Sequence, residues 1–139
     1  MNSKPVWNIE KFVLPQHADH AGVLWHGNYL NWLEESRINA LSEVGISYFE
    51  LTKEGFDLPL INTSIKYISP LFLGEKITIE SEFNIDKSPR INVISKFLNK
   101  KNEILTIAEV NLVLINKLKF SIIRKRPDFL SKAFSKLNG

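Results

Sequence analysis

One change of rhythm constrains this chain more than any other feature. From Tyr29 to Val44 apolar side chains recur every three or four residues; from residue 58 to 116 they recur every second residue. The first period specifies a helix with one buried face, the second strands with one buried face. Leu30, Leu33, Arg37/Ile38, Leu41 and Val44 mark the helical stripe, while Glu34, Glu35 and Asn39 fall off it. Asn28 is placed to cap this helix, because an Asn oxygen can accept from the free amides of a first turn. Gly45 suits its C-terminal end. Ser47 with Glu50 has the spacing of a capping box and opens a short second helix, closed by Gly55.

The strands follow from alternation and turn signals. Residues 7–14 form a first strand stopped by Pro15. Residues 58–68 form another, separated from the next by Ser69-Pro70 and Gly74. Ile77, Ile79 and Phe83 alternate with Thr78, Glu80 and Glu82, which gives one apolar and one polar face. Lys87-Ser88-Pro89 turns the chain into a strand carrying Ile91, Val93 and Phe97, and residues 99–102 turn it again. Residues 104–116 form the longest strand, with Ala108, Val110, Leu112 and Leu114 on one face. Pro127-Asp128 starts a terminal helix with Phe129, Leu130, Ala133, Phe134 and Leu137 along one side. Successive strands imply an antiparallel sheet, and the long amphipathic helix needs a sheet face to bury against. The expectation is an α+β domain over residues 1–139: a curved antiparallel sheet of about five strands wrapping one central helix, with 121–139 as a basic C-terminal segment and terminal helix.

Length and composition agree with one domain: 139 residues, 44% of them apolar, supply a single core. The chain has no cysteine, which removes disulfides and thiolate metal sites. Charges and a proline stand in the first 12 residues, where a secretory leader needs an apolar run, and no stretch approaches the roughly 18 apolar residues of a membrane span. A cytoplasmic protein is expected. The net charge is +3, and much of the excess sits late, in Lys117, Lys119, Arg124, Lys125 and Arg126. Such a cluster fits nucleic acid, an anionic lipid surface, the phosphates of a nucleotide-bearing ligand, or simply a solvated strand end.

The segment QHADHAGVLWHG fits neither period. It holds Asp19, Gly22, Trp25, Gly27 and all three histidines, His17, His20 and His26. Together with Asn28-Tyr29 and Trp32-Leu33-Glu34-Glu35-Ser36-Arg37, it resembles the signature of the 4-hydroxybenzoyl-CoA thioesterase family. Ser69-Pro70-Leu71-Phe72-Leu73-Gly74-Glu75 resembles that family's Pro-x-x-x-Gly-Asp/Glu turn. The likeness runs over roughly residues 8–120.

The resemblance implies a hotdog fold and hydrolysis of an acyl- or aroyl-CoA to free acid and CoA, with no cofactor. Asp19 would act as the nucleophile, through a mixed anhydride, or as general base for water. The amide at or near His26, helped by Gly27, would hold the thioester oxygen, since a helix start offers unpaired N–H groups and a positive dipole end. Gly22 fits a sharp loop bringing Asp19 towards that helix. The His26 side chain either bonds the thioester oxygen, orients Asp19 or water, or packs at the helix start. Trp25 and Tyr29 are pocket wall or core. Glu34 is expected at a dimer interface or on the helix surface. Because hotdog enzymes build sites between protomers, a homodimer is implied, often a dimer of dimers, with Asn62, Thr63 and Ser64 facing the partner's Asp19. Arg90, Lys96, Arg124, Lys125 and Arg126 are candidates for the CoA phosphates.

Rival readings weigh less. His17, Asp19, His20 and His26 look like metal ligands, but no histidine follows residue 26 to complete a site, so no metal is expected. A Gly-x-Ser-x-Gly elbow, a P-loop and a dinucleotide fingerprint are all missing from the sequence. No aromatic-plus-basic strand motif for nucleic acid occurs. A hotdog hydratase or dehydratase, and a non-catalytic binder of acyl or aromatic ligands, remain as alternatives.

Overall fold

Register organises the molecule. A computed structural model describes residues 4–139, with strands β1 (Trp7–Phe12), β2 (Phe56–Asp57), β3 (Leu60–Tyr67), β4 (Lys76–Ile85), β5 (Arg90–Leu98), β6 (Ile104–Val113), β7 (Ile115–Asn116) and β8 (Ser121–Ile122). The helices are α1 (His26–Glu43), α2 (Tyr48–Lys53) and α3 (Asp128–Asn138). The main sheet runs β1-β4-β5-β6-β3, and every neighbouring pair is antiparallel. This is the expected hotdog arrangement, a five-stranded antiparallel sheet against a long helix. Both β1 and β3 are edges.

Alternation then sorts the side chains. Ile77, Ile79 and Phe83 of β4, Val93 and Phe97 of β5, and Ala108, Val110 and Leu112 of β6 point inward and are buried. Against them α1 lays Tyr29, Trp32, Leu33, Ser36, Ala40 and Leu41. The centre of this contact is polar. Ser36, Ser81 and Ser95 are all buried, and their hydroxyls form a chain with Oγ···Oγ distances of 3.1 and 2.6 Å. Small residues let the helix come close to the sheet, and the hydroxyls satisfy one another there.

The structure corrects several expectations. The helix begins at His26, not after Asn28; its N-cap is Trp25, without a side-chain cap bond. The amide of Asn28 instead donates to the His17 carbonyl at 2.8 Å, tying the helix to the preceding loop. Leu30, expected on the buried stripe, is 45% exposed, because the stripe against the sheet is centred on Tyr29, Leu33, Ser36 and Ala40. The strand expected over 104–116 breaks at the buried Leu114, and its end joins a second, three-stranded sheet in the order β2-β7-β8. Gly45 behaves as expected. At φ +91° its N–H donates to Ser42, and Ile46 N–H reaches Leu41, which satisfies two carbonyls of the helix end.

The terminal helix forms as expected, over Asp128–Asn138. α1 does not occupy the inner face alone: α3 packs on β4 and α1 and buries Leu130, Ala133, Phe134 and Leu137 in the same core. Phe129 is the exception, half exposed beside Phe56. Trp7 Nε1 donates to the Leu137 carbonyl, so β1 holds the helix end. α2 is tied to β2 by the Tyr48 hydroxyl, which donates to Asp57 Oδ1 at 2.5 Å. Burial, then the hydrogen bond and charge of Asp57, push the Tyr48 phenol up to about 12.

Two outcomes follow. Phe134→Ala should lower stability by about 3–5 kcal/mol in urea unfolding; a loss below ~1 kcal/mol would mean the tail is peripheral. Because the Tyr48 phenol is raised in the folded state from 10.0 to about 12, its contribution is complete below pH 10 and is lost as pH climbs towards 12. Tyr48→Phe should therefore flatten the fall of the melting temperature across that interval.

Candidate active site

The segment that broke both periods folds as a small hairpin. Ala18 and Leu24 form an antiparallel bridge, Asp19 N–H donates to Val23 O at 2.9 Å, and Trp25 N–H donates to His17 O at 2.8 Å. Its tip turns through Gly22 at φ +79°, a left-handed conformation that favours glycine. Asp19 Oδ1 accepts from Ala21 N–H at 2.9 Å and from Val23 N–H at 3.4 Å, so the carboxylate is oriented by its own loop.

The hairpin does not stand alone. Leu24 N–H donates to Leu71 O at 2.7 Å, Leu73 N–H donates to Gly22 O at 2.9 Å, and Val23 bridges Phe72. The two sequence segments that resemble one family's signature are thus hydrogen-bonded to each other. Leu71 is fully buried beneath them.

Directly after the hairpin, α1 begins. The N–H groups of His26 and Gly27 have no acceptor among the described residues, while Asn28 N–H turns back to Trp25 O. The Trp25 indole lies over this first turn: a Cβ on Gly27 would stand 2.1 Å from the ring, so a larger residue there would displace the half-exposed indole. Asp19, Leu24, His26 and Tyr29 line one groove of about 380 Å³ together with Tyr67, Ile68, Ser69 and Pro70. The His26 side chain is exposed and stacks at a tilt beside Trp25, with ring centres 5.0 Å apart. Tyr29 is buried, edge-on to Tyr67 at 4.9 Å and near Phe97; burial holds its phenol above the usual range. An oriented carboxylate, two open amides of a helix start and an aromatic wall can polarise a carbonyl and direct a nucleophile at it. Tyr67 and Ile68 were not singled out in the sequence; their exposure at the end of an edge strand is visible only in three dimensions.

Other candidates lie elsewhere. His17 Nδ1 accepts from Leu14 N–H and its ring meets Trp32 edge-on, whereas His20 is exposed at the hairpin tip. Asn62, Thr63 and Ser64 sit on β3, away from the groove of their own protomer. Thr63 shares the inner face with Ile65 and Tyr67; Asn62 and Ser64 face outward. Asn62 Oδ1 accepts from Asn111, which in turn accepts from Asn92, and Asn92 accepts from Asn84. This four-strand ladder of amides was not anticipated, since register is needed to align the four positions. Arg90 and Lys96 are exposed on β5, and Arg124 and Lys125 follow β8. Arg126 is engaged: its guanidinium donates to the carbonyls of Asp86 and Ser88 and lies over Phe134. It holds the β4–β5 turn.

A second cavity of about 290 Å³ opens between α1, α3 and the start of β3. Ile38, Leu41, Ile91 and Phe134 line its apolar part, while Glu34, Arg37, Tyr48 and Asp57 supply polar groups. Glu35 pairs with Lys11 at 2.9 Å and takes no part.

Comparison with known proteins places the chain in a family. The sequence model described as the thioesterase-like superfamily matches residues 13–133. A Synechocystis protein provisionally named an esterase is 30% identical over 126 residues, 90% of this chain and 76% of that one. An acyl-CoA thioester hydrolase of Escherichia coli is 24% identical over 104 residues, 75% of this chain and 78% of that one. Among solved structures, a DHNA-CoA thioesterase from Staphylococcus aureus superposes with a TM-score of 0.85 at 28% identity, covering 94% of this chain and 89% of the other. With the family matched across nearly its whole length, the fold in place and both signature segments joined at one site, the chain belongs to the thioesterase-like superfamily.

Proposed function

We propose that the chain hydrolyses the thioester of an acyl- or aroyl-CoA at the groove beside Asp19. The observation that carries this reading is the approach of an oriented carboxylate to the open N-terminus of α1. The N–H groups of His26 and Gly27 hold the carbonyl oxygen and gain strength as it becomes an oxyanion. With Asp19 as general base, water attacks the carbonyl carbon and its proton passes to the carboxylate. The tetrahedral oxyanion then collapses, the C–S bond breaks, and the proton moves from Asp19 to the departing sulfur. With Asp19 as nucleophile, the carboxylate oxygen bonds the carbonyl carbon, CoA leaves as thiolate, and water cleaves the resulting anhydride. In both cases the products are the free acid and CoA.

A homodimer completes the site. β3 is an edge eight residues long with exposed Leu60, Ile61 and Tyr67 along it and exposed Ile68 just beyond, a surface that invites pairing with another strand. Pairing two copies of β3 antiparallel about a two-fold axis sets the Leu60 end of one against the Tyr67 end of the other. The groove at Tyr67 then meets the end of the partner that carries the second cavity, which suits the acyl group, with Thr63 on the facing strand. The same reversal explains the cations. Arg90 lies at the far end of its own sheet from Asp19, so the phosphates of CoA are met by the partner's Arg90, Arg124 and Lys125. A further pairing of dimers, and a cytoplasmic location, accord with this reading. The E. coli relative is named for acyl-CoA thioesters and the S. aureus structure for DHNA-CoA, which supports CoA thioesters as the substrate class.

Asp19→Asn keeps the acceptor for Ala21 N–H and removes the base. It should lower kcat on a panel of aliphatic and aromatic CoA thioesters by about 10²–10⁴-fold, read as released thiol, while thermal unfolding barely moves. Undiminished turnover would exclude Asp19 from the chemistry. No turnover by the unmodified chain on any thioester would favour a ligand-binding protein.

A further inference from the structure

Lys117 and Lys119 of the basic cluster noted in the sequence take no part in the proposed site, and the structure gives their segment a definite shape. β7 and β8 pair as a hairpin, Ile115 with Ile122 and Asn116 with Ser121, and residues 117–120 form its turn. Leu118 is 92% exposed and Phe120 81% exposed, and they alternate with Lys117 and Lys119, which are also exposed. The turn is well fixed. Asn116 Oδ1 accepts from both Leu118 N–H and Lys119 N–H at 3.0 Å, and Lys117 N–H donates to Gly55 O at 2.8 Å. Phe120 stands at φ +53°, an uncommon backbone state for a bulky residue. The fold thus holds two large apolar side chains outward on a projecting tip.

Charge indicates what such a tip meets. Residues 117–126 contain five cations and no acid. Without them, the 18 lysines and arginines of the chain fall to 13 against 15 acids, a net charge of −2. The whole positive excess is therefore concentrated on this hairpin and the segment after it. A tip with Leu118 and Phe120 outward beside Lys117 and Lys119 pairs exposed apolar surface with positive charge. It matches a soft, anionic interface, where apolar side chains enter the acyl boundary and lysines remain among the head groups. We infer that the Lys117–Phe120 turn docks the protein on anionic bilayer surfaces. This requires no membrane-spanning segment, and among the described residues no helix is long and apolar enough to cross a membrane. The inference stands apart from the thioesterase reading.

The test is sedimentation of the full chain with vesicles of phosphatidylcholine alone or mixed with phosphatidylglycerol. Binding is expected only to the anionic vesicles and should weaken as salt rises above about 0.15 M. Leu118→Ser with Phe120→Ser should weaken it by roughly tenfold or more, and Lys117→Gln with Lys119→Gln by about fivefold per charge removed, with the circular dichroism spectrum unchanged. Because the chain has no cysteine, Leu118→Cys carries a single environment-sensitive dye, whose emission should shift to the blue on anionic vesicles. Absence of binding, or binding indifferent to Leu118 and Phe120, would overturn the proposal. So would a dye shift with an acidic carrier protein but none with vesicles. A loss of oligomeric state in the double serine variant would assign the tip to a subunit contact instead.

Discussion

Two backbone hydrogen bonds, from Leu24 to Leu71 and from Leu73 to Gly22, hold the proposed site together. The hairpin around Asp19 has few residues and only a short ladder of its own, so its position depends on what it is fastened to. Fastening it to the chain between β3 and β4 places Asp19 beside the first turn of α1 and buries Leu71 beneath. The sheet then fixes that segment, and the packing of α1 on the sheet fixes the helix start. The Ala21 amide, within the loop itself, orients Asp19, and the fastening sets that carboxylate beside the open amides of the helix start. Rigid elements thereby position a site that lies on loops.

The helix itself is held by a contact that is not purely apolar. The seam of Ser36, Ser81 and Ser95 brings α1 near the sheet at its middle, with Tyr29, Trp32 and Leu33 towards one end and Leu41 towards the other. Each hydroxyl is satisfied within the seam, so close approach carries no unpaired polar group. α3 closes the rest of the inner face. The β3 edge carries exposed apolar side chains, Leu60, Ile61 and Tyr67, on the side where the groove lies. Fold and proposed chemistry therefore meet at the same edge.

Much of this was legible in the sequence, because periodicity reports burial directly. The order of helix and strands, the Gly45 terminus and the inward residues of β4 to β6 all follow from local pattern. The grouping of Asp19, His26 and Tyr29 in one groove was readable only through a motif, since nothing local says that a loop folds onto a segment fifty residues away. Errors arose where tertiary partners override local preference. Asn28 looked like a cap, yet the carbonyl of His17 claims its amide. Leu30 looked buried, yet the sheet selects the neighbouring stripe. Arg126 looked like a phosphate ligand, yet two carbonyls of the β4–β5 turn hold it. The asparagine ladder and the outward Leu118 and Phe120 depend on register and turn geometry, which composition does not contain.

The central claim is that one thioester carbonyl lies between Asp19 and the open amides of α1. A crystal structure with an S-(2-oxoalkyl)-CoA, which keeps a carbonyl but cannot be hydrolysed, tests it most directly. The account predicts the carbonyl oxygen about 2.7–3.1 Å from the N–H of His26 or Gly27, with the Asp19 carboxylate facing the carbonyl carbon. A carbonyl bound away from the α1 N-terminus, with Asp19 out of reach, would contradict it.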